Sequence, residues 1–307
     1  MLKDRLFSSA ILLSLVGLLL WLDARFPPLG VHGLWLVPLL LLLAVGTAND
    51  MVRLFQGANR LVNKPATLVA TALIPLAACI PYGWELASQT YPADCPVGRV
   101  GWMAIGAVLA IGCLLLVEMS QYGRGPAGAT ERLQAGVFVA AYVGIPMSLL
   151  VAVRNLEGAN PNWGLAALIS LIAVTKSSDA GAYFTGQLLG RHKLIPRLSP
   201  GKTWEGSIGG FCFSVAVAYG CVHWLFPALT ETATTPPPWW GPLIFGIACA
   251  LSGMLGDLAE SLIKRDTGAK DSGSMLPGLG GVWDVTDSLI AASAPGFLCL
   301  AGGLAGS

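Results

Sequence analysis

Long stretches of this chain are apolar without any period, and that restricts its fold more than any other feature. Residues 36–46 read Leu-Val-Pro and then an unbroken aliphatic run. A helix at a water-facing surface keeps a polar side, whereas a helix surrounded by lipid must be apolar all round. The charge content agrees. Charged residues make up 11% of the 307 positions and hydrophobic residues 54%, against roughly a quarter charged in soluble domains. So little charge cannot cover the surface of a soluble protein of this length.

Nine segments are close to the length that a helix needs to cross the hydrocarbon: about 6–22, 31–48, 66–83, 101–119, 133–152, 162–178, 206–226, 240–260 and 285–304. The expected fold class is all-α, a polytopic transmembrane helix bundle of about nine spans with a cytoplasmic N-terminus. Lys3 and Arg5 precede the first run, and no small-x-small cleavage site follows, so the first helix is expected to stay. With the N-terminus inside, fifteen of the eighteen Lys and Arg fall in inner segments, and only Arg25, Arg99 and Arg154 fall outside. This is the positive-inside pattern, and a miscount of one span would scramble it. The seven cysteines show no CxxC or Cys/His spacing, so neither zinc nor a disulfide framework is expected. The Asn49-Asp50 pair and Glu118 lie near inner membrane edges and read as interface-facing polar residues.

Residues 1–155 read as N-terminal transmembrane helices with little chemistry, and 156–307 as a C-terminal transmembrane catalytic region. In the latter, two segments on the cytoplasmic side, about 176–205 and 257–287, hold eight of the eighteen Lys and Arg. Asp257, Glu260, Ser261 and Lys264 recur at one-turn spacing and share a helix face. An ionised side chain at mid-membrane costs roughly 3 kcal/mol, so these residues either line a wet cavity or mark where the helix leaves the bilayer, with Glu260 and Lys264 as a surface pair. Pro277, Gly278, Gly280 and Gly281 forbid regular helix and allow close backbone approach. Asp284 and Asp287 then stand one turn apart where the ninth span begins. One such Asp is explained as a helix cap. Two on one face, with Asp257 available, also suit a hard divalent cation held by oxygen. Gly201-Lys202-Thr203 resembles the end of a P-loop, but Pro196 stands where that motif needs glycine. What remains there is a basic segment able to meet phosphates.

The ordered residues of these segments resemble the phosphatidate cytidylyltransferase (CDP-diacylglycerol synthase) family. The C-terminal pattern is matched at Ser261, Lys264, Arg265, Lys270, Asp271, Pro277, Gly278, Gly280, Gly281, Asp284 and Asp287. The stretch before it matches through Ser252, Gly256, Asp257, Leu258, Glu260 and Ser261. An upstream match runs through Asp179, Ala182, Tyr183 and Gly186, then His192-Lys193-Leu194 and Lys202-Thr203-Trp204-Glu205-Gly206. The chain departs from the family pattern at Leu279, where the family has His, and at Val285, where it has Arg.

The resemblance implies cytidylyl transfer from CTP to phosphatidate, giving CDP-diacylglycerol and pyrophosphate. It also implies Mg²⁺ held by Asp257, Asp284 and Asp287, with Lys264 beside them as a catalytic residue. Ser261, Arg265, Lys270, Lys202, Tyr183, Gly280 and Gly281 would bind substrate. The expected partners are CTP and phosphatidate in the membrane, with no nucleic acid, and a homodimer is allowed. The expected location is the cell inner membrane, with the active site on the cytoplasmic side. Two alternatives stay open: a catalytically impaired homologue, suggested by the departures at Leu279 and Val285, or a CTP-dependent transferase acting on another lipid phosphate.

Overall fold

The computed structural model of the chain describes residues 2–124, 127–156, 160–230, 237–269, 271–273, 275 and 277–306, with side chains from Phe7 onward. The chain forms two compact units. Unit 1 holds Met1–Ala152 and Asp266–Thr286, and unit 2 holds Val153–Arg265 and Asp287–Ser307. Residues 266–286 thus pack with the N-terminal helices, although they carry much of the C-terminal motif.

Unit 1 contains α1 (Leu2–Arg25), α2 (Val37–Gly57), α3 (Lys64–Ala78), the short α4 (Tyr82–Leu86), α5 (Gly98–Gln121) and most of α6 (Ala129–Arg154). Its core is built from small and aliphatic residues: Ala66, Ala70 and Ile74 of α3 against Ala110 and Leu114 of α5 and Ala140 of α6. Asn63 caps α3, its side chain accepting from the Ala66 N–H. Glu118 is not an interface residue. It is 4% exposed, and its carboxylate takes the Arg132 guanidinium at 2.9 Å. A carboxylate at that depth persists because its partner neutralises it.

Unit 2 contains α7 (Trp163–Leu189), a two-stranded antiparallel hairpin of β1 (Lys193–Ile195) and β2 (Ser199–Thr203), α8 (Trp204–Thr230) and α9 (Gly241–Asp266) up to Arg265. The last helix, α10 (Trp283–Ala301), starts in unit 1 and continues in unit 2. Helix α7 runs well past the expected end at 178, because no Pro interrupts it and the first stop signal is Gly190. Asp179 and Tyr183 therefore stand on a helix and not in a loop. The hairpin is the one departure from an all-helical reading among the described residues. Its end is tied down by Thr203, which accepts from the Gly206 N–H at 3.1 Å and starts α8.

Helices α7 and α8 meet through small residues. A Cβ on Gly206 would fall 2.8 Å from the Ala182 carbonyl oxygen, and one on Gly210 would fall 2.9 Å from that of Ser178. Between helices in lipid, where no hydrophobic force draws apolar surfaces together, such close backbone approach supplies the attraction. Ser214 of α8 adds hydrogen bonds to the carbonyls of Val174 in α7 and Gly246 in α9. Helices α6 and α8 each contain a five-residue π turn, Ala140–Gly144 and Cys221–Leu225. Each turn ends shortly before a proline, Pro146 or Pro227. A mid-helix proline lacks the donor and clashes with the preceding turn, and a π turn is a known way to absorb both defects.

Among the described residues, seven helices are long and apolar enough to cross a membrane. The chain is an all-α polytopic membrane protein. The two other expected spans are also helical: α3, with 15 residues, and α10, with 19 residues including Asp284 and Asp287.

Candidate active site

The acidic face of α9 becomes a site because its backbone comes very close to α10. A Cβ on Gly256 would fall 2.8 Å from the Ala291 Cβ and would clash with the Asp287 carbonyl oxygen. Only glycine fits there. The next residues on that face, Asp257 and Glu260, are thereby carried up to Asp287. One carboxylate oxygen from each of the three lies within 4.8 Å of the others. Glu260 and Asp287 are buried, at 2% and 6% exposure, and Asp257 is half-exposed.

Three lysines of unit 2 face these carboxylates. Lys264 Nζ lies 3.1 Å from Glu260 Oε1, one turn along α9. The pair foreseen at the surface therefore exists, but it is buried. Lys202 of β2 reaches Asp257 Oδ2 at 2.9 Å and donates to the Met254 carbonyl at 3.1 Å. Lys176 of α7 donates to Ser288 Oγ at 2.7 Å and pairs with Asp179 at 3.3 Å. Beside the acidic cluster opens a cavity of about 550 Å³, lined among others by Asp179, Tyr183, Lys193, Lys202, Ser207 and Asp257. It has lysines, hydroxyls and glycine backbone on its walls and a carboxylate of the cluster at its edge. Such a cavity can take an anionic ligand of nucleotide size next to a bound cation.

The remaining predicted residues divide as follows. Tyr183 lines the cavity and is 61% exposed. Ser261 is half-buried on α9, and Arg265 is exposed in its last turn. Lys270 lies outside the described residues. Gly280, Gly281 and Asp284 belong to unit 1. There the loop turns on left-handed backbone at Gly278 and Gly280, with φ of 79° and 97°. Asp284 Oδ2 accepts from Ser272 Oγ at 2.6 Å and from the Gly281 N–H at 2.7 Å. Of the expected metal set, Asp257 and Asp287 are brought together with Glu260, while Asp284 anchors the glycine-rich loop.

Asp50 of α2 is fully buried, contrary to its expected place at the interface. Its Oδ2 accepts from the N–H groups of Val282 and Trp283, at 2.6 and 3.2 Å, and so caps the start of α10 from a distant part of the chain. The N–H groups of Gly281, Val282 and Trp283 are thus taken up by the chain's own carboxylates. Sequence reasoning also missed Lys176, and it left Glu260 out of the metal set. The signal for Glu260 was present, since it shares a helix face with Asp257. For Asp50 the signal was an acidic residue inside an apolar run, with its partners far off in sequence.

The sequence model of the cytidylyltransferase family matches residues 3–301. The chain belongs to the cytidylyltransferase family. Among relatives, it is similar to the phosphatidate cytidylyltransferase of Brucella suis biovar 1 (strain 1330), with 41% identity over 197 residues, 64% of each chain. It is similar also to that of Haemophilus influenzae, with 40% identity over 133 residues, 43% of this chain and 45% of the relative. For the Bacillus subtilis (strain 168) enzyme of the same name the identity is 37% over 151 residues, 49% of this chain and 52% of the relative. The matched stretch spans less than two thirds of each of these relatives.

Proposed function

We propose that this chain transfers a cytidylyl group from CTP to phosphatidate. A phosphate oxygen of phosphatidate attacks the α-phosphorus of CTP, the bond from that phosphorus to the bridging oxygen breaks, and pyrophosphate leaves with the electron pair. The observation that carries this reading is the juxtaposition, within unit 2, of the Asp257–Glu260–Asp287 cluster with a lysine-bearing cavity. Membership of the cytidylyltransferase family supports it.

The donor set suits Mg²⁺, since it consists of carboxylate oxygens alone. Asp257, Glu260 and Asp287 would hold the ion, which when bound supplies Lewis-acid stabilisation of the transferring phosphoryl group. The chain's own residues do the rest. Lys202 and Lys193, on the hairpin at the cavity wall, neutralise phosphate charge, and Tyr183 offers a hydroxyl donor there. Phosphatidate is already anionic, so no strong general base is required. Positioning and electrostatics supply the acceleration. Asp284 shapes the loop that leads into α10.

The proposed location is the cell inner membrane, with the site on the cytoplasmic side, where CTP is present and the acyl chains of the acceptor stay in the hydrocarbon. The decisive assay measures pyrophosphate release from CTP by the purified protein in detergent, with and without phosphatidate. Phosphatidate-dependent release accompanied by CDP-diacylglycerol is expected. Release indifferent to phosphatidate, or none, would overturn the reading. Absence of release would favour the impaired homologue suggested by Leu279 and Val285.

A further inference from the structure

Lys176 has no part in the family pattern quoted above. It stands on the 27-residue α7, one turn before Asp179, with its side chain partly buried. What retains the charge is a network within unit 2. Lys176 Nζ donates to Ser288 Oγ at 2.7 Å and to Asp179 at 3.3 Å. Ser288 Oγ in turn donates to Asp179 Oδ2 at 2.9 Å, and the Ser288 N–H donates to Asp287 Oδ1 at 2.6 Å. One ammonium is thus wired to a carboxylate on the cavity wall and to one in the metal cluster.

The charges show what this network does. Asp179, Asp257, Glu260 and Asp287 face Lys176, Lys202 and Lys264. Lys202 is taken up by Asp257 and Lys264 by Glu260. Lys176 pairs with Asp179 and lies close enough to Asp287 to act on it electrostatically. Without Lys176, Asp179 would lose its ion-pair partner and Asp287 a nearby positive charge. The surplus negative charge would hold a divalent ion more tightly and repel a triphosphate.

We propose that Lys176 is a positioning residue that sets the balance between cation and nucleotide binding, loosening the first and tightening the second. The proposal rests on the ligand placement given under Proposed function. Its signature is a pair of shifts in opposite directions, which a merely structural role does not produce, since a damaged site weakens both ligands.

The test uses the full chain in detergent with Lys176→Met, Lys176→Gln and Lys176→Arg. Mn²⁺ affinity is read by electron paramagnetic resonance of the free ion without nucleotide. CTP affinity is read by equilibrium dialysis of labelled CTP with Ca²⁺ in place of Mg²⁺, so neither measurement needs turnover. Removing the ammonium charge from this network is expected to tighten Mn²⁺ and weaken CTP by about tenfold each. Lys176→Arg should stay within about twofold of wild type, because the charge is kept. Lys176→Gln can keep a hydrogen bond to the network and carries the test should Lys176→Met fold poorly. Shifts in the same direction, or none in either neutral variant, would overturn the proposal. A wild-type chain that binds both ligands without turnover would sink the proposed reaction, and the direction of the shifts would still decide the role of Lys176.

Discussion

Glu260 and Asp287 are buried acidic residues, Glu260 paired with Lys264 and Asp287 accepting from the Ser288 N–H. Two carboxylates do not stay together at such depth for packing alone. Their proposed work is to hold a cation, and this separates them from Asp284. Asp287→Asn and Glu260→Gln keep size and shape but remove the charge that a hard cation requires. Each should lower Mg²⁺-dependent turnover on the order of a thousandfold. Near-normal turnover in either variant would remove that residue from the metal set. Asp284→Ala should behave differently, because it loses the bonds from Ser272 and Gly281. A drop of about 1 kcal/mol in stability is expected, as for other lost caps. Asp50→Ala should be as costly or more so, since two buried N–H groups would lose their acceptor. A melting curve unchanged by Asp50→Ala would show that α10 does not depend on this cap.

At the level of elements, the site depends on backbone contacts that only glycine permits. Gly256→Ala places a methyl group against the Asp287 carbonyl, so α9 and α10 must separate and the three carboxylates with them. Both stability and Mn²⁺ affinity should fall. The contact between α7 and α8 offers a parallel case with an internal control. Gly210→Leu forces bulk against the Ser178 carbonyl and should cost about 3 kcal/mol through overpacking. Ile208, on the same helix, is 60% exposed, and Ile208→Ala should leave the melting curve where it was. Equal effects from the two substitutions would mean that the helix contact is not the one described. These glycines were visible in the sequence, where Gly206 and Gly210 stand four apart. Nothing local, however, distinguishes a glycine at a helix crossing from one that merely faces lipid.

For the whole molecule, the orientation in the membrane is a proposal that rests on the distribution of Lys and Arg. Arg197 and Asp271 are exposed and serve as reporters for the two polar segments. Cysteines placed there, in a background lacking the native seven, should resist a membrane-impermeant thiol reagent in intact cells and react after permeabilisation. Labelling from outside at either position would reverse the proposed topology. The sequence alone determined the class of molecule and the approximate run of its apolar helices, because lipid demands apolar side chains on every face and composition reports that demand directly. It also contained, in order, the residues that mark the family. The tertiary structure decided which of those residues act together. Asp284 and Asp287 are neighbours in one motif, yet one anchors a loop in unit 1 and the other joins Asp257 and Glu260 in unit 2. Lys176 and Asp50 take their meaning from partners more than a hundred residues away. Such partnerships come from burial and distance in three dimensions, which no local spacing of residues along the chain records.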